Sequence, residues 1–293
     1  MQANFFSVVL MPLALSVIMT GLGLSLTIGD FKRIFLFPKA MFVGLVCQML
    51  LLPIVCYYIA KGMNLPPEMA VGLMLLAAAP GGPSANLYSH MAKGDVALNV
   101  SLTALNSLFS VLSIAFWVNF SMLQFLAVDT YVPMQFGKVL EVCYIVILPV
   151  GAGMIVRAYF PQMSSRLEKP FKMASGLFLA AIILLAGWKE RSHFWQDAEI
   201  VGFAALLFNV ACLSLGYFIP RMFRLSKKQA IAIGMEIGIH NGSLAIYLAL
   251  NVIGNATMTI PAVVYSIIMF LTAALFGYLV NLRPEGLSSG RFF

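Results

Sequence analysis

Two stretches of this sequence place polar groups in the middle of apolar runs. The first, LMLLAAAPGGPSANLYSHM, holds Pro80, Gly81, Gly82 and Pro83, followed by Ser84 and Asn86. The second, AIAIGMEIGIHNGSLAIYLAL, holds Gly234, Glu236, Gly238, His240, Asn241, Gly242 and Ser243. Two prolines around two glycines do not continue a regular helix, because donors are missing and glycine is conformationally loose. An interrupted helix frees backbone carbonyls and N–H groups that a continuous one would pair. Carbonyl, amide, hydroxyl and carboxylate oxygens are the hard ligands that a dehydrated cation such as Na⁺ requires, about five or six of them, much as Ca²⁺ does. Helices resuming near Ser84 and Asn241 would aim positive dipole ends and unpaired N–H groups at an anion, typically a carboxylate. Pro83 has no N–H, so the first backbone donors fall at Ser84 and Ala85, and Asn241 and Ser243 add side-chain donors. A substrate anion is therefore expected at Pro83, Ser84, Ala85, Asn241, Gly242 and Ser243.

The elements that hold these groups follow from composition. The chain has 293 residues, 61% hydrophobic and 10% charged, with a mean hydropathy of +0.94. Soluble domains carry roughly 25% charged residues. This chain cannot clothe a globule in polar surface, which excludes an ordinary cytosolic enzyme and a disordered chain. The apolar residues run on for helix-spanning lengths, about 20 at a time, rather than alternating as barrel strands do. The predicted class is an all-α integral membrane protein of nine transmembrane helices, in a single membrane domain. The spans are about 5–28, 38–60, 68–92, 95–120, 133–158, 170–188, 198–222, 227–251 and 259–282. Residues 1–28 lack a basic leader and are long enough to span, so no cleavable signal is expected.

The net charge of +7 would suggest nucleic acid for a soluble protein. Here the basic residues lie in loops and set orientation instead. Fourteen Lys and Arg fall on one side of the predicted spans and four on the other. The positive-inside rule then puts the N-terminus outside and the C-terminal tail, 283–293, in the cytoplasm of a cell (inner) membrane. Cys47, Cys56, Cys143 and Cys212 lie in apolar runs without Cys-x-x-Cys spacing and read as buried free thiols. His90 and His193 fall at helix ends and read as interfacial.

The two broken spans lie roughly 160 residues apart, each the third helix of a four-helix group. An offset of five helices inverts one group relative to the other. Inverted repeats with matched interrupted helices point to the midplane site of a secondary transporter. A carboxylate in mid-bilayer is costly and functional by default, which singles out Glu236. An intramembrane enzyme or receptor is the alternative of another class, but no Ser–His–Asp, His-x-x-x-His or paired-Asp pattern falls on facing turns. A Glu236–His240 transition-metal pair lacks further Cys, His or Asp ligands nearby.

At these residues the sequence resembles the bile acid:sodium symporter family. The resemblance is carried by GLGLSLTIGDFKRIFLFPK at 21–39, by Gln48 in VCQMLLLP, by APGGPSANLYSHMAKGDVALNVSLTALNSL at 79–108 and by EIGIHNGSLA at 236–245. It implies two interrupted helices crossing at mid-membrane within a core domain (38–120 and 198–282), beside a panel domain (5–28 and 133–188). It implies sodium-coupled import of a small organic anion by alternating access. Bile acids, pantoate-like acids and amino acids are all within reach, and a proton-coupled or uncoupled carrier of the same fold is the alternative. The first sodium site would use Asn86, Asn99, Thr103 and Glu236. The second would use Gln48, Glu236, the carbonyls of Ile237 and Ile239, and position 240. The family pattern has Ser where this chain has Ala85, a small hydroxyl residue where it has Asn99, and Gln where it has His240. Neutral His offers only nitrogen to a hard cation, whereas a protonated His240 beside Glu236 would mimic one. The expected partners are a small anionic substrate and the lipid bilayer, with neither nucleic acid nor a protein partner.

Overall fold

The computed structural model describes residues 11–126, 136–167 and 194–282, with a few positions between 170 and 181. The regular structure among them is helical. Helix α1 (Met11–Ser25) is followed by the short α2 (Ile28–Lys32). Helix α3 (Pro38–Val46), a π-helical turn at Cys47–Leu51 and α4 (Leu52–Gly62) form one continuous rod. Two half-helices, α5 (Pro67–Ala78) and α6 (Pro83–Met91), precede the long α7 (Val96–Phe125). Helices α8 (Phe136–Tyr159) and α9 (Phe194–Met222) follow. A second pair of half-helices, α10 (Lys227–Gly238) and α11 (Gly242–Tyr247), continues through a π-helical turn at Leu248–Ile253. Helix α12 (Ile260–Asn281) closes the described chain.

Four helical stretches among the described residues, Pro38–Gly62, Val96–Phe125, Glu199–Met222 and Thr257–Asn281, are long and apolar enough to cross a membrane. Eight of the expected spans each contain a helix, and the two predicted to be broken are broken at the predicted residues. Helix α7 extends to Phe125, a full turn beyond expectation. The expected span 170–188 falls largely outside the described residues, as do His193 and the tail 283–293.

Burial follows the logic of a bilayer, with apolar groups outside and polar groups within. Phe42, Leu112, Phe116, Phe203 and Leu271 are exposed, while Gln48, Asn99, Thr103, Asn106, Asn209 and Glu236 are buried. Lipid is as apolar as leucine, so association rests on close packing and interhelical hydrogen bonds. Small residues supply the close packing between α1 and α8. A Cβ on Gly23 would overlap Val150 O, and one on Gly153 would overlap Thr20 O. The half-helices are deeply enclosed: α5 is buried along Met69–Ala78, α10 along Ala230–Gly238 and α11 throughout.

Two loops fix the ends of α7 and α10. The Lys-Gly-Asp turn after α6 places Lys93 in the left-handed region, at φ 61°. Gly94 N–H donates to Ser89 O at 2.8 Å, and Asp95 N–H to Lys228 O at 2.9 Å. Asp95 Oδ1 then caps α7 by accepting from Leu98 N–H at 3.0 Å, as an N-cap aspartate does. Before α2, the Thr27 N–H and hydroxyl both donate to Asp30 Oδ2 at 2.7 Å. Arg33 pairs with Asp30 at 3.2 Å and reaches Ala97 O at 3.3 Å.

Candidate ion and substrate site

The two breaks meet. Gly82 N–H donates to Ile239 O, and Asn241 N–H donates to Pro80 O, each at 2.9 Å. Gly81 and His240 thereby form an isolated antiparallel bridge. Each unwound segment satisfies part of the other's backbone, which is how non-helical chain survives at membrane depth. Asn241 N–H would close the next turn of α10 on Ile237 O, so its bond to Pro80 O releases that carbonyl from its helical partner.

Glu236 lies in the last turn of α10 and joins three elements. Thr103 O–H donates to Oε2 at 2.6 Å, and Asn106 Nδ2 donates to Oε1 at 2.9 Å. On its other side the carboxylate lies against Gly81, where a Cβ would overlap it. One acid thus touches its own helix, α7 and the first break. Asn99, one turn before Thr103, donates from Nδ2 to Ala232 O at 2.7 Å, a second tie between α7 and α10.

Buried acceptors without donors mark the same region. Among the described residues, buried side-chain oxygens lacking a hydrogen-bond partner include Gln48 Oε1, Asn86 Oδ1, Asn99 Oδ1 and Asn106 Oδ1. Buried polar atoms are ordinarily paired. Two of these oxygens, on Asn99 and Asn106, flank Thr103 on the face of α7 that meets Glu236, and unpaired acceptors beside a carboxylate are what a hard cation takes. No group of three or more His, Cys, Asp or Glu that could hold a metal ion occurs among the described residues.

The expected second-site residues have a different environment. Ala79 O, freed by the first break, accepts from Gln48 Nε2 at 2.9 Å and from His240 Nδ1 at 3.2 Å. Gly238 O, freed by the second, accepts from Asn209 Nδ2 at 2.8 Å and from Tyr265 O–H at 3.0 Å. Ile239 O holds Gly82 N–H. The His240 ring stacks on Phe208, with centroids 5.8 Å apart, and meets the edge of Tyr265 at 5.4 Å. Its Nε2 faces Cys212 Sγ at 3.9 Å. Glu236 and His240 therefore turn toward different helices and share no hydrogen bond. With Nδ1–H donating to a carbonyl and aromatic rings alongside, the pocket suits a neutral imidazole rather than a stand-in cation, because a buried charge needs a charged partner.

On the substrate side, Asn241 Oδ1 caps α11 by accepting from Leu244 N–H at 3.1 Å, leaving the buried Nδ2 unpaired. Ser84 is half-buried, and Ser243 is buried at the start of α11. Two backbone donors expected there are already used. Ala85 N–H goes to Gly82 O at 2.9 Å and Gly242 N–H to His240 O at 3.1 Å. The turns tighten as helices resume, which consumes donors that a bare helix terminus would leave open. Pro83 serves as the first residue of α6, a position where its missing N–H is harmless. The four cysteines are free, with Cys143 only partly buried, and His90 is exposed at the end of α6.

Sequence reasoning passed over Asn106, Asn209, Tyr265 and Trp117. Asn106 was within reach, since Asn99, Thr103 and Asn106 follow the i, i+4, i+7 spacing of one helix face. Trp117 has no such signal. Its indole N–H donates to Met49 O at 2.8 Å, a carbonyl of the π-helical turn that carries Gln48. Such turns recur at functional sites.

The model of the sodium bile acid symporter family matches residues 12–196. The chain is 27% identical over 256 residues to the probable sodium/metabolite cotransporter BASS1, chloroplastic, of Arabidopsis thaliana, covering 86% of this chain and 62% of that protein. It is 26% identical over 254 residues to the uncharacterized sodium-dependent transporter YocS of Bacillus subtilis, covering 86% and 77%. It is 24% identical over 238 residues to the sodium-dependent organic anion transporter of Bos taurus, covering 80% and 61%. The chain thus spans about three fifths of the length of the plant and bovine relatives.

Proposed function

The chain belongs to the sodium bile acid symporter family, a family of transporters rather than enzymes, and from that premise we propose that it is a sodium-coupled importer of a small organic anion. The observation that carries this reading is Glu236, a buried carboxylate tied to α7 and pressed against the first break, with Asn106, whose amide oxygen is unpaired, at its side. Three similar proteins bear names that mention sodium. Sodium is cargo here. It enters with the substrate, and its charge offsets that of Glu236 in a medium that penalises net charge, while the half-helix starts face the substrate carboxylate.

The ion site consists of Asn86, Asn99, Thr103 and Glu236. One sodium is proposed rather than two. The support lies at the second site, where Ile239 O already holds Gly82 N–H and position 240 offers a nitrogen. Gln48 Oε1, the Ile237 carbonyl and a shared Glu236 oxygen fall short of the five or six oxygens a dehydrated Na⁺ takes. The substrate carboxylate is proposed to sit at Ser84, Asn241 Nδ2 and Ser243, beside the half-helix starts. Its body lies toward the panel.

The chain has nine spans in two inverted groups, with the N-terminus outside and the C-terminus in the cytoplasm. The core, 38–120 and 198–282, moves against the panel, 5–28 and 133–188, around the fixed site. Positive-inside asymmetry and the matched breaks support this arrangement. The test is uptake of labelled carboxylates into sealed proteoliposomes. Unchanged label should accumulate under an inward Na⁺ gradient and not under K⁺. Accumulation driven equally well by a proton gradient without Na⁺ would replace this reading with the proton-coupled one.

A further inference from the structure

The proposed ion site is one oxygen short as it stands. Position 85 carries alanine and Ser84 is assigned to the substrate, so α6 contributes Asn86 to the ion, and Asn99, Thr103 and Glu236 complete four. The structure places another side chain at the same carboxylate. Asn106 is fully buried on α7. Its Nδ2 donates to Glu236 Oε1 at 2.9 Å, and its Oδ1 is buried without a partner. It shares a helix face with Asn99 and Thr103, whose own polar atoms point at α10.

We propose that Asn106 is a fifth side-chain ligand of the coupling sodium and that its amide turns over as the ion arrives. This inference rests on the sodium reading above. An amide carries a donor and an acceptor on one planar group, and a half-turn about Cβ–Cγ exchanges them. Without the ion, the Asn106 N–H and the Thr103 O–H compensate a carboxylate that would otherwise be buried unpaired, which is a costly state. With the ion bound to Glu236, a donor at Oε1 is no longer needed. Oδ1 turns inward as a ligand, and the N–H takes up the position Oδ1 leaves. The same residue then serves both the empty and the loaded carrier. The set Asn86, Asn99, Thr103, Asn106 and Glu236 reaches the five oxygens that the cation requires.

The test is Na⁺ titration of the purified protein, with melting temperature as readout, which needs neither substrate nor transport. Asn106→Leu, with the same branching of heavy atoms and unable to ligate, should weaken apparent Na⁺ affinity about tenfold, as should Thr103→Ala. Asn106→Asp keeps the oxygens and loses the N–H. As a ligand it should hold Na⁺ affinity to within about threefold in mildly alkaline buffer, because its oxygens still ligate and the ion then separates two carboxylates. If Asn106 only orients Glu236 by donating to it, Asp should damage Na⁺ binding at least as much as Leu, and the proposal is overturned. Should the Leu variant not fold, Asn106→Ser, with a hydroxyl too short to reach the ion, should show the same loss. Wild-type affinity in the Leu or Ser variant overturns the role of Asn106, and continued loss in Glu236→Gln leaves the sodium reading standing. A wild-type Na⁺ response in Glu236→Gln overturns both.

Discussion

Gly81 lies directly against the carboxylate of Glu236, in the space that a side chain at position 81 would fill. The neighbouring Gly82 has no such constraint. A Cβ there would come no closer than 3.4 Å to any atom, the nearest being His240 O. The two glycines of the first break therefore do different work. Gly81 makes room for the acid, and Gly82 supplies the N–H that reaches Ile239 O at 2.9 Å.

Gly81→Ala should displace the Glu236 carboxylate and remove Na⁺-dependent stabilisation, whereas Gly82→Ala should retain most of it. Melting temperature with and without Na⁺ reads the difference. Equal behaviour of the two variants would show that the Gly81 contact does not set the carboxylate's position.

Glu236→Gln should abolish the Na⁺ response, because it deletes the one full negative charge of the proposed site. Asn99→Ala should weaken it less and also cost about 1 kcal/mol of stability through the lost bond to Ala232 O. Isothermal titration with Na⁺ ranks the variants. The idea does not survive if Asn99→Ala is the more damaging for Na⁺.

His240→Gln keeps a donor for Ala79 O and should fold with stability within about 1 kcal/mol of the parent. With the wild-type ring seated as a neutral group, substrate affinity at fixed Na⁺ should follow the same curve in both proteins from mildly acidic to mildly alkaline buffer. A wild-type affinity that rises in acid, and does so only while His240 is present, would show an imidazolium standing in for a cation.

Trp117→Phe keeps the ring and removes the indole N–H from Met49 O. It should cost about 1 kcal/mol and loosen the turn that carries Gln48. Amide hydrogen exchange across 45–52 should quicken in this variant and stay unchanged in Trp117→Tyr only if the phenol recovers the bond. No change in either variant would leave Trp117 as packing alone.

In a protein whose four cysteines are replaced, a single cysteine at Ala256 should react with an impermeant reagent from outside. One at the exposed Lys228 should react only after permeabilisation. The reverse pattern would invert the proposed orientation.

The sequence alone determined the class of molecule and where its helices fail. A chain with 10% charged residues has no polar surface for water, and the Pro-Gly-Gly-Pro and Gly-x-His-Asn-Gly stretches interrupt their helices by local chemistry that no tertiary context repairs. The cost of a carboxylate in mid-span likewise marked Glu236 before any contact was known. Which carbonyls remain open to an ion was decided only by the tertiary structure. The break frees Gly238 O, but Asn209 and Tyr265, both 27 or more residues away, occupy it. Thr103 and Asn106 reach Glu236 across at least 130 residues of chain. His240, one turn from Glu236 in sequence, faces aromatic rings on other helices because α10 ends at Gly238, between the two. Helical periodicity assigns a residue to a face, and only packing decides what that face meets.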